Sequence, residues 1–188
     1  MKDQILCRRM FLKSTAFFAA TLLGAKSAFA KMVDGGALPE GKLSMYNVNN
    51  RERLTVTYRN SLGEYCEEAL QALNWLLRCH ITNETTKMDL RVIESLSRLD
   101  KNLGGGNEIH IISGYRSPSY NRRLRSLSNG VARNSLHMKG MAIDLAIPGI
   151  RLDQIRRTAL ALAAGGVGYY PAGGFVHLDS GGVRAWQG

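Results

Sequence analysis

Apolar and polar side chains alternate with a period of two through Leu43-Ser44-Met45-Tyr46-Asn47-Val48 and again through Leu54-Thr55-Val56-Thr57-Tyr58. With Asn49 to Arg53 between them, the two runs predict a β-hairpin. The period then lengthens. From Glu64 to Cys79 the residues Cys66, Ala69, Leu70, Leu73, Leu76 and Leu77 fall on one helical face, and Asp89 to Lys101 repeats the pattern with Leu90, Ile93, Leu96, Leu99 and Leu103. Gly104-Gly105-Gly106 ends that second helix, and Glu108 to Ser113 reads as a short apolar strand. Ser117 as N-cap with Pro118 in the first turn opens a third helix that runs to about Leu127. Further on, Met141 to Ile147 is a strand, Leu152 to Ala163 a helix, and Val167 to Tyr170 and Phe175 to Asp179 two more strands. The pattern predicts an α+β fold: a small, mainly antiparallel sheet flanked by helices. At 188 residues the chain has room for one such domain and a short appendage.

The appendage lies at the N-terminus. Cys7 to Lys13 reads CRRMFLK, an uncharged, mostly apolar run follows from Ser14 to Ala25, and small residues end at Ala28-Phe29-Ala30. This is the layout of a signal peptide with cleavage after Ala30, and its paired arginines resemble the twin-arginine export signal. The uncharged run is too short for a permanent anchor, since a helix needs about 20 residues to span the bilayer. Residues 31–42, with Gly35, Gly36 and Pro39, read as a flexible leader, which leaves 43–188 as the domain.

The formal charge is +10, from 25 Lys and Arg against 15 Asp and Glu. Five of the bases and one acid leave with the signal, so residues 31–188 carry +6, a moderately basic surface suited to acidic partners. Nucleic acid is not among the partners expected, because no helix carries clustered Lys and Arg with interleaved aromatics, and Arg122-Arg123-x-Arg125 reads as a solvated helix face. Cys66 and Cys79 lie on one predicted helix about 20 Å apart, far beyond disulfide reach, so buried thiols are expected rather than a bridge.

From Asn134 onward polar and glycine positions interrupt the apolar rhythm in a way that packing does not require, and four segments concentrate chemistry: SGYRSPSYN (113–121), SLHMKGMAIDL (135–145), GVGYY (166–170) and FVHLD (175–179). A hydrolytic zinc site takes three protein ligands from His and Asp or Glu and keeps a fourth position for water. His137, Asp144 and His177 supply such a set. Gly140 lets the chain turn between the first two, and the strand after it aims Ala142 and Asp144 to one side while Ile143 and Leu145 enter the core. Asp179 shares the strand face of His177, as base or as orienter of that ring. Arg116, between a strand and a helix, is placed to steady an oxyanion or clamp a carboxylate. His110, inside an apolar strand, and His80, at a helix end, are expected to be structural.

Taken together, S-G-Y-R-S, S-x-H-x-x-G-x-A-x-D and V-H-x-D resemble the zinc peptidases of the D-alanyl-D-alanine carboxypeptidase superfamily, in particular its exported murein endopeptidases. The resemblance extends from about Leu43 to Trp186. It implies one zinc ion bound by His137, Asp144 and His177 in a cleft on the sheet, and a substrate-facing Arg116. It further implies hydrolysis of amide bonds in peptidoglycan cross-links by a zinc-activated water; the export signal sets the expected place in the periplasm, and a monomer without a membrane anchor is expected. Many members have an acid or His three residues before the last ligand, where this chain has Gly174, so Asp179 is expected as the catalytic base, with a hydroxyl of Tyr169 or Tyr170 as the other choice. The same departure opens a second reading, a non-catalytic zinc module that binds peptidoglycan peptides.

Overall fold

The computed structural model describes residues 4–5, 39–128 and 130–188. The predicted signal and leader therefore lie outside the described residues, apart from the two-residue strand β1 (Gln4–Ile5) and residues 39–42.

The hairpin forms as β2 (Gly41–Asn47) and β3 (Glu52–Arg59), antiparallel with Met45 opposite Leu54. Helix α1 (Glu67–Leu76) is shorter than its apolar stripe. Cys66 stands at its N-cap and Cys79 beyond its C-cap, both buried and not bonded to each other. Helix α2 (Leu90–Asn102) is capped by Asp89, whose side chain accepts from the Arg91 amide, and it buries Val92, Ile93, Leu96 and Leu99. Strand β4 (Glu108–Ser113) leads to α3 (Pro118–Leu127), capped as expected by Ser117, which accepts from the Tyr120 amide. A short 3₁₀ helix, Leu136–Lys139, precedes β5 (Ala142–Ala146); α4 (Leu152–Ala161), β6 (Gly166–Tyr170), β7 (Phe175–Asp179) and β8 (Arg184–Gln187) complete the chain.

The strands form one sheet in the order β1-β3-β2-β4-β5-β7-β6-β8. The sheet is mixed, which corrects the mainly antiparallel arrangement expected from the sequence: β2 runs parallel to β4 and β6 parallel to β8. A parallel neighbour needs a crossover connection. The β3-α1-α2 stretch provides one between β2 and β4, and β7 with its following turn lets β8 return beside β6.

Period-two alternation sorts the two faces. Leu43 and Met45, Val56 and Tyr58, Ile109 and Ile111, Ile143 and Leu145, and Val176 and Leu178 are all buried in one apolar cluster with the inner faces of α1, α2 and α4. Tens of buried CH₂ groups at about 0.8 kcal/mol each make this layer the main support of the sheet. Asp144, His177 and Asp179 alternate with those core residues and so point from the opposite face, toward α3 and the 3₁₀ helix. Among the described residues no helix is long and apolar enough to cross a membrane.

Candidate metal centre

Strands β5 and β7 pair antiparallel with Asp144 directly opposite His177 and Ala142 opposite Asp179. Two of the predicted ligands are thus nearest neighbours across a ladder. The third, His137, comes from the 3₁₀ helix, which Gly140 ends in the left-handed conformation at φ 67°. That turn is pinned from both sides: the Gly140 carbonyl accepts from the Asp89 amide, and the His137 carbonyl accepts from the Arg116 amide. All three side chains are buried.

Their donor atoms converge. His177 Nδ1 lies 2.8 Å from Asp144 Oδ1 and 3.2 Å from His137 Nε2, and His137 Nε2 lies 3.3 Å from Asp144 Oδ1. The outward ring nitrogens fix the tautomers. His137 Nδ1 stands 2.8 Å from the Gly114 carbonyl and His177 Nε2 stands 3.0 Å from Asp179 Oδ2; each partner can only accept, so each of these nitrogens carries the proton. The two inward lone pairs then meet a carboxylate oxygen. Three acceptors at such spacing are held together only by a shared proton or a cation, and a tetrahedral zinc ion with bonds of about 2.0–2.2 Å sets its donors about 3.3–3.6 Å apart. The residues present therefore fit a metal ion, and among the described residues no other His, Cys, Asp or Glu group does so.

Electrostatics agree with a ligand role. Burial alone raises the Asp144 carboxyl, yet the facing His137 and His177 outweigh it and hold the group well below the usual carboxylate range. For His177, burial works against the charged ring while hydrogen bonds to Asp144 and Asp179 more than offset it.

Asp179 stands behind His177 with a side chain that is 0% exposed. Burial raises it, but hydrogen bonds from His177 and Arg184 and from the Gly181 amide bring it well below its ordinary value. Arg184 reaches both oxygens, at 3.1 and 2.6 Å, and the Gly166 amide also donates. Arg116 takes the other flank, its guanidinium 3.7 Å from Asp144 Oδ2 and 3.4 Å from Asn121 Oδ1, with Nε buried and without a partner.

The cluster floors a cleft of about 420 Å³. One wall is aromatic: Trp186 lies over Gly168, its ring 5.2 Å from that of His177, and its indole N–H donates to the Tyr170 hydroxyl, while Tyr170 stacks on Phe175. The loop between α3 and the 3₁₀ helix forms the other wall. Asp144 is the only carboxylate among the described lining residues, and both Arg116 and Arg184 face the cleft. His110 pairs with Glu108 and His80 packs on Tyr120; neither joins the cluster. Arg184 and Trp186 escaped the residue-by-residue reading, because their role depends on the turn after Asp179 folding β8 back beside β6, for which the sequence carries no period or motif.

Fold and site together define a class: an α+β domain with a His-Asp-His cluster, able to hold a metal ion, at the floor of a cleft, the arrangement of a metal-dependent peptidase. Over residues 37–186 the sequence matches the family described as peptidoglycan L,D-endopeptidase MepK, and the chain belongs to it. The probable peptidoglycan L,D-endopeptidase MepK of Haemophilus influenzae is 42% identical over 147 residues, 78% of each chain. The peptidoglycan L,D-endopeptidase MepK of Escherichia coli K12 is 41% identical over 144 residues, 77% of this chain and 79% of that protein, and the Shigella flexneri protein of the same name matches to the same extent. The chain is accordingly an enzyme, a peptidase, and the non-catalytic reading is set aside.

Proposed function

We propose that the chain hydrolyses L,D-amide bonds in the peptide cross-links of peptidoglycan, with one zinc ion held by His137, Asp144 and His177. The observation that carries this reading is the meeting of two imidazole lone pairs and a carboxylate oxygen on an open cleft, with both outward nitrogens already committed. When bound, zinc supplies Lewis acidity toward the scissile carbonyl and a water whose pKa is lowered to about 7.

The chain's own groups do the rest. Asp144 balances cationic charge at the floor, and Gly114 and Asp179 hold the two rings in the required tautomers. Arg116 presents its guanidinium, with an uncommitted Nε–H, beside Asp144, where it steadies negative charge developing on the substrate carbonyl. Asp179 is fully buried behind His177, outside the lining of the cleft, and is saturated by His177, Arg184 and two amides, so it acts as the positioning residue of His177. That assignment replaces the proton-shuttling role expected from the sequence. Trp186, Tyr170 and Phe175 keep the aromatic side of the cleft dry, and the two arginines favour a carboxylate-bearing peptide.

The relatives' names supply the L,D bond type. The reading further includes export through the twin-arginine signal of residues 1–30, a leader over 31–42, a zinc peptidase domain over 43–188, a periplasmic location and a monomer.

Digestion of purified sacculi, with mass spectrometry of the released muropeptides, tests the reading. L,D-linked dimers are expected to fall to monomers, chelation with EDTA to stop the reaction, zinc to restore it, and His177→Ala to be inert. Turnover that persists in EDTA with no bound metal, or cleavage confined to D,D linkages, overturns it.

A further inference from the structure

The positive charge of the chain has an address. From Ile109 to Ile143 there are six bases, Arg116, Arg122, Arg123, Arg125, Arg133 and Lys139, and no acid. That excess equals the whole +6 of residues 31–188, so the remainder of that span is balanced, fourteen bases against fourteen acids. The segment is the one that builds a wall of the cleft: β4 ends in it, α3 and the loop after α3 lie in it, and it closes with the 3₁₀ helix that carries His137.

Arg122, Arg123 and Arg125 are all exposed. At about 100° per residue they fan across one side of α3, opposite buried Asn121 and half-buried Leu124. Arg133, on the loop beyond, is exposed as well. Elsewhere several surface arginines are matched to carboxylates, as in Arg53–Glu108, Arg91–Asp89 and Arg151–Asp153, while exposed Arg51 and Arg98 enter no ion pair found among the described residues but are not clustered. None of the ion pairs found among the described residues involves Arg122, Arg123, Arg125 or Arg133. The cations are thus left for a partner.

The helix is tied to the site. Asn121 on its inner face accepts from the Arg116 guanidinium at 3.4 Å and donates to the Ala132 carbonyl at 3.1 Å, joining α3 to the oxyanion-side arginine and to the cleft wall. The C-terminal end of α3 leads at Ser128 into the loop that lines the cleft, so a polymer held on the helix lies close to the cleft.

We infer that the unpaired arginines of α3 form a docking surface outside the catalytic cleft, which holds the enzyme on its polymeric substrate by binding carboxylates of neighbouring stem peptides. The surface rests on the substrate assigned above and adds to it a second point of contact. Long-range attraction of this kind concentrates an enzyme on a polyanion and weakens with salt, because exposed charges beyond roughly 8–10 Å are screened at physiological ionic strength. A small soluble muropeptide, which fills the cleft alone, gains nothing from it.

The test compares the purified protein with the triple variant Arg122→Gln, Arg123→Gln, Arg125→Gln and with the triple Arg→Lys variant. Each is co-sedimented with sacculi over a range of NaCl concentrations and assayed on a soluble L,D-linked dimer. The glutamine variant is expected to bind sacculi about tenfold more weakly at low salt and to lose most of its salt dependence. Its kcat/KM on the soluble dimer should stay within about twofold of the parent, and the lysine variant should recover sacculus binding. Sacculi whose carboxylates have been amidated should hold the parent no better than the glutamine variant. Equal sacculus binding by parent and glutamine variant overturns the inference. So does a variant that binds sacculi normally but loses binding to vesicles of anionic phospholipid, which would assign the surface to a membrane. Failure of the parent to cleave the soluble dimer counts against the assigned reaction, and sacculus binding then judges the surface separately.

Discussion

His137 and His177 each commit one ring nitrogen to a fixed acceptor and turn the other toward Asp144, so the value of the site lies as much in what stands behind the rings as in the rings themselves. Asp179 shows how this can be measured. Asp179→Asn keeps the shape but removes the charge that Arg184 and His177 share, while Arg184, with 46% of its side chain exposed, can turn to water. Outer partners of metal ligands are worth about 10–100-fold in metal affinity. The expected outcome is a zinc affinity weaker by that factor in a competitive chelator titration, with turnover largely recovered at saturating zinc. Turnover that stays low at every zinc concentration, with affinity unchanged, would instead mark Asp179 as a proton carrier. The strand rhythm of Phe175 to Asp179 was enough to set Asp179 on the same face as His177. The rhythm left its role open between base and orienter, because the choice turns on Arg184, five residues on and across a turn with no pattern of its own.

Among the elements, the 3₁₀ helix carries the most consequence for its length. Gly140 ends it at positive φ, and a Cβ there would stand 2.8 Å from the Lys87 carbonyl and from the Thr86 methyl. Gly140→Ala meets both the left-handed penalty and that contact, so a loss of about 1–3 kcal/mol in unfolding free energy is expected, along with weaker zinc binding as His137 shifts. Urea unfolding followed by circular dichroism in EDTA isolates the first effect; a loss below about 0.5 kcal/mol would mean the turn relaxes without strain. Most elements could be read from periodicity, as β4 and β7 show by matching their predicted bounds. The 3₁₀ helix could not, since four residues are too few to display a period, and neither could the parallel pairings, since a strand's pattern reports its faces and not its neighbours' directions.

At the scale of the molecule, buried-edge ion pairs tie layers together and set a pH limit. Arg59 binds Glu94 between β3 and α2, and Arg78 binds Glu52 between the end of the α1 segment and β3. Burial raises Glu94, but Arg59 prevails and its pKa falls below the ordinary 4.5; the hydrogen bond from Arg78 lowers Glu52 likewise. Carboxylates whose folded pKa is depressed add stability that is fully present above the unfolded value and disappears as pH falls through the folded one. Thermal unfolding in EDTA should therefore show Tm declining below about pH 4.5. Glu94→Gln is expected to cost about 1.5–3 kcal/mol at neutral pH and to flatten that decline; a parallel curve would place the acid sensitivity elsewhere. Charge totals could be read in advance, whereas these pairings, which link residues 26 and 35 apart, could not. One further consequence belongs to the whole chain. Asp144 faces His177 only when β5 and β7 are in register, and a slip of one residue would set it against Val176 or Leu178. An ion that recognises only the aligned pair would be linked to that alignment by mass action, so its binding would favour correctly threaded chains over slipped ones.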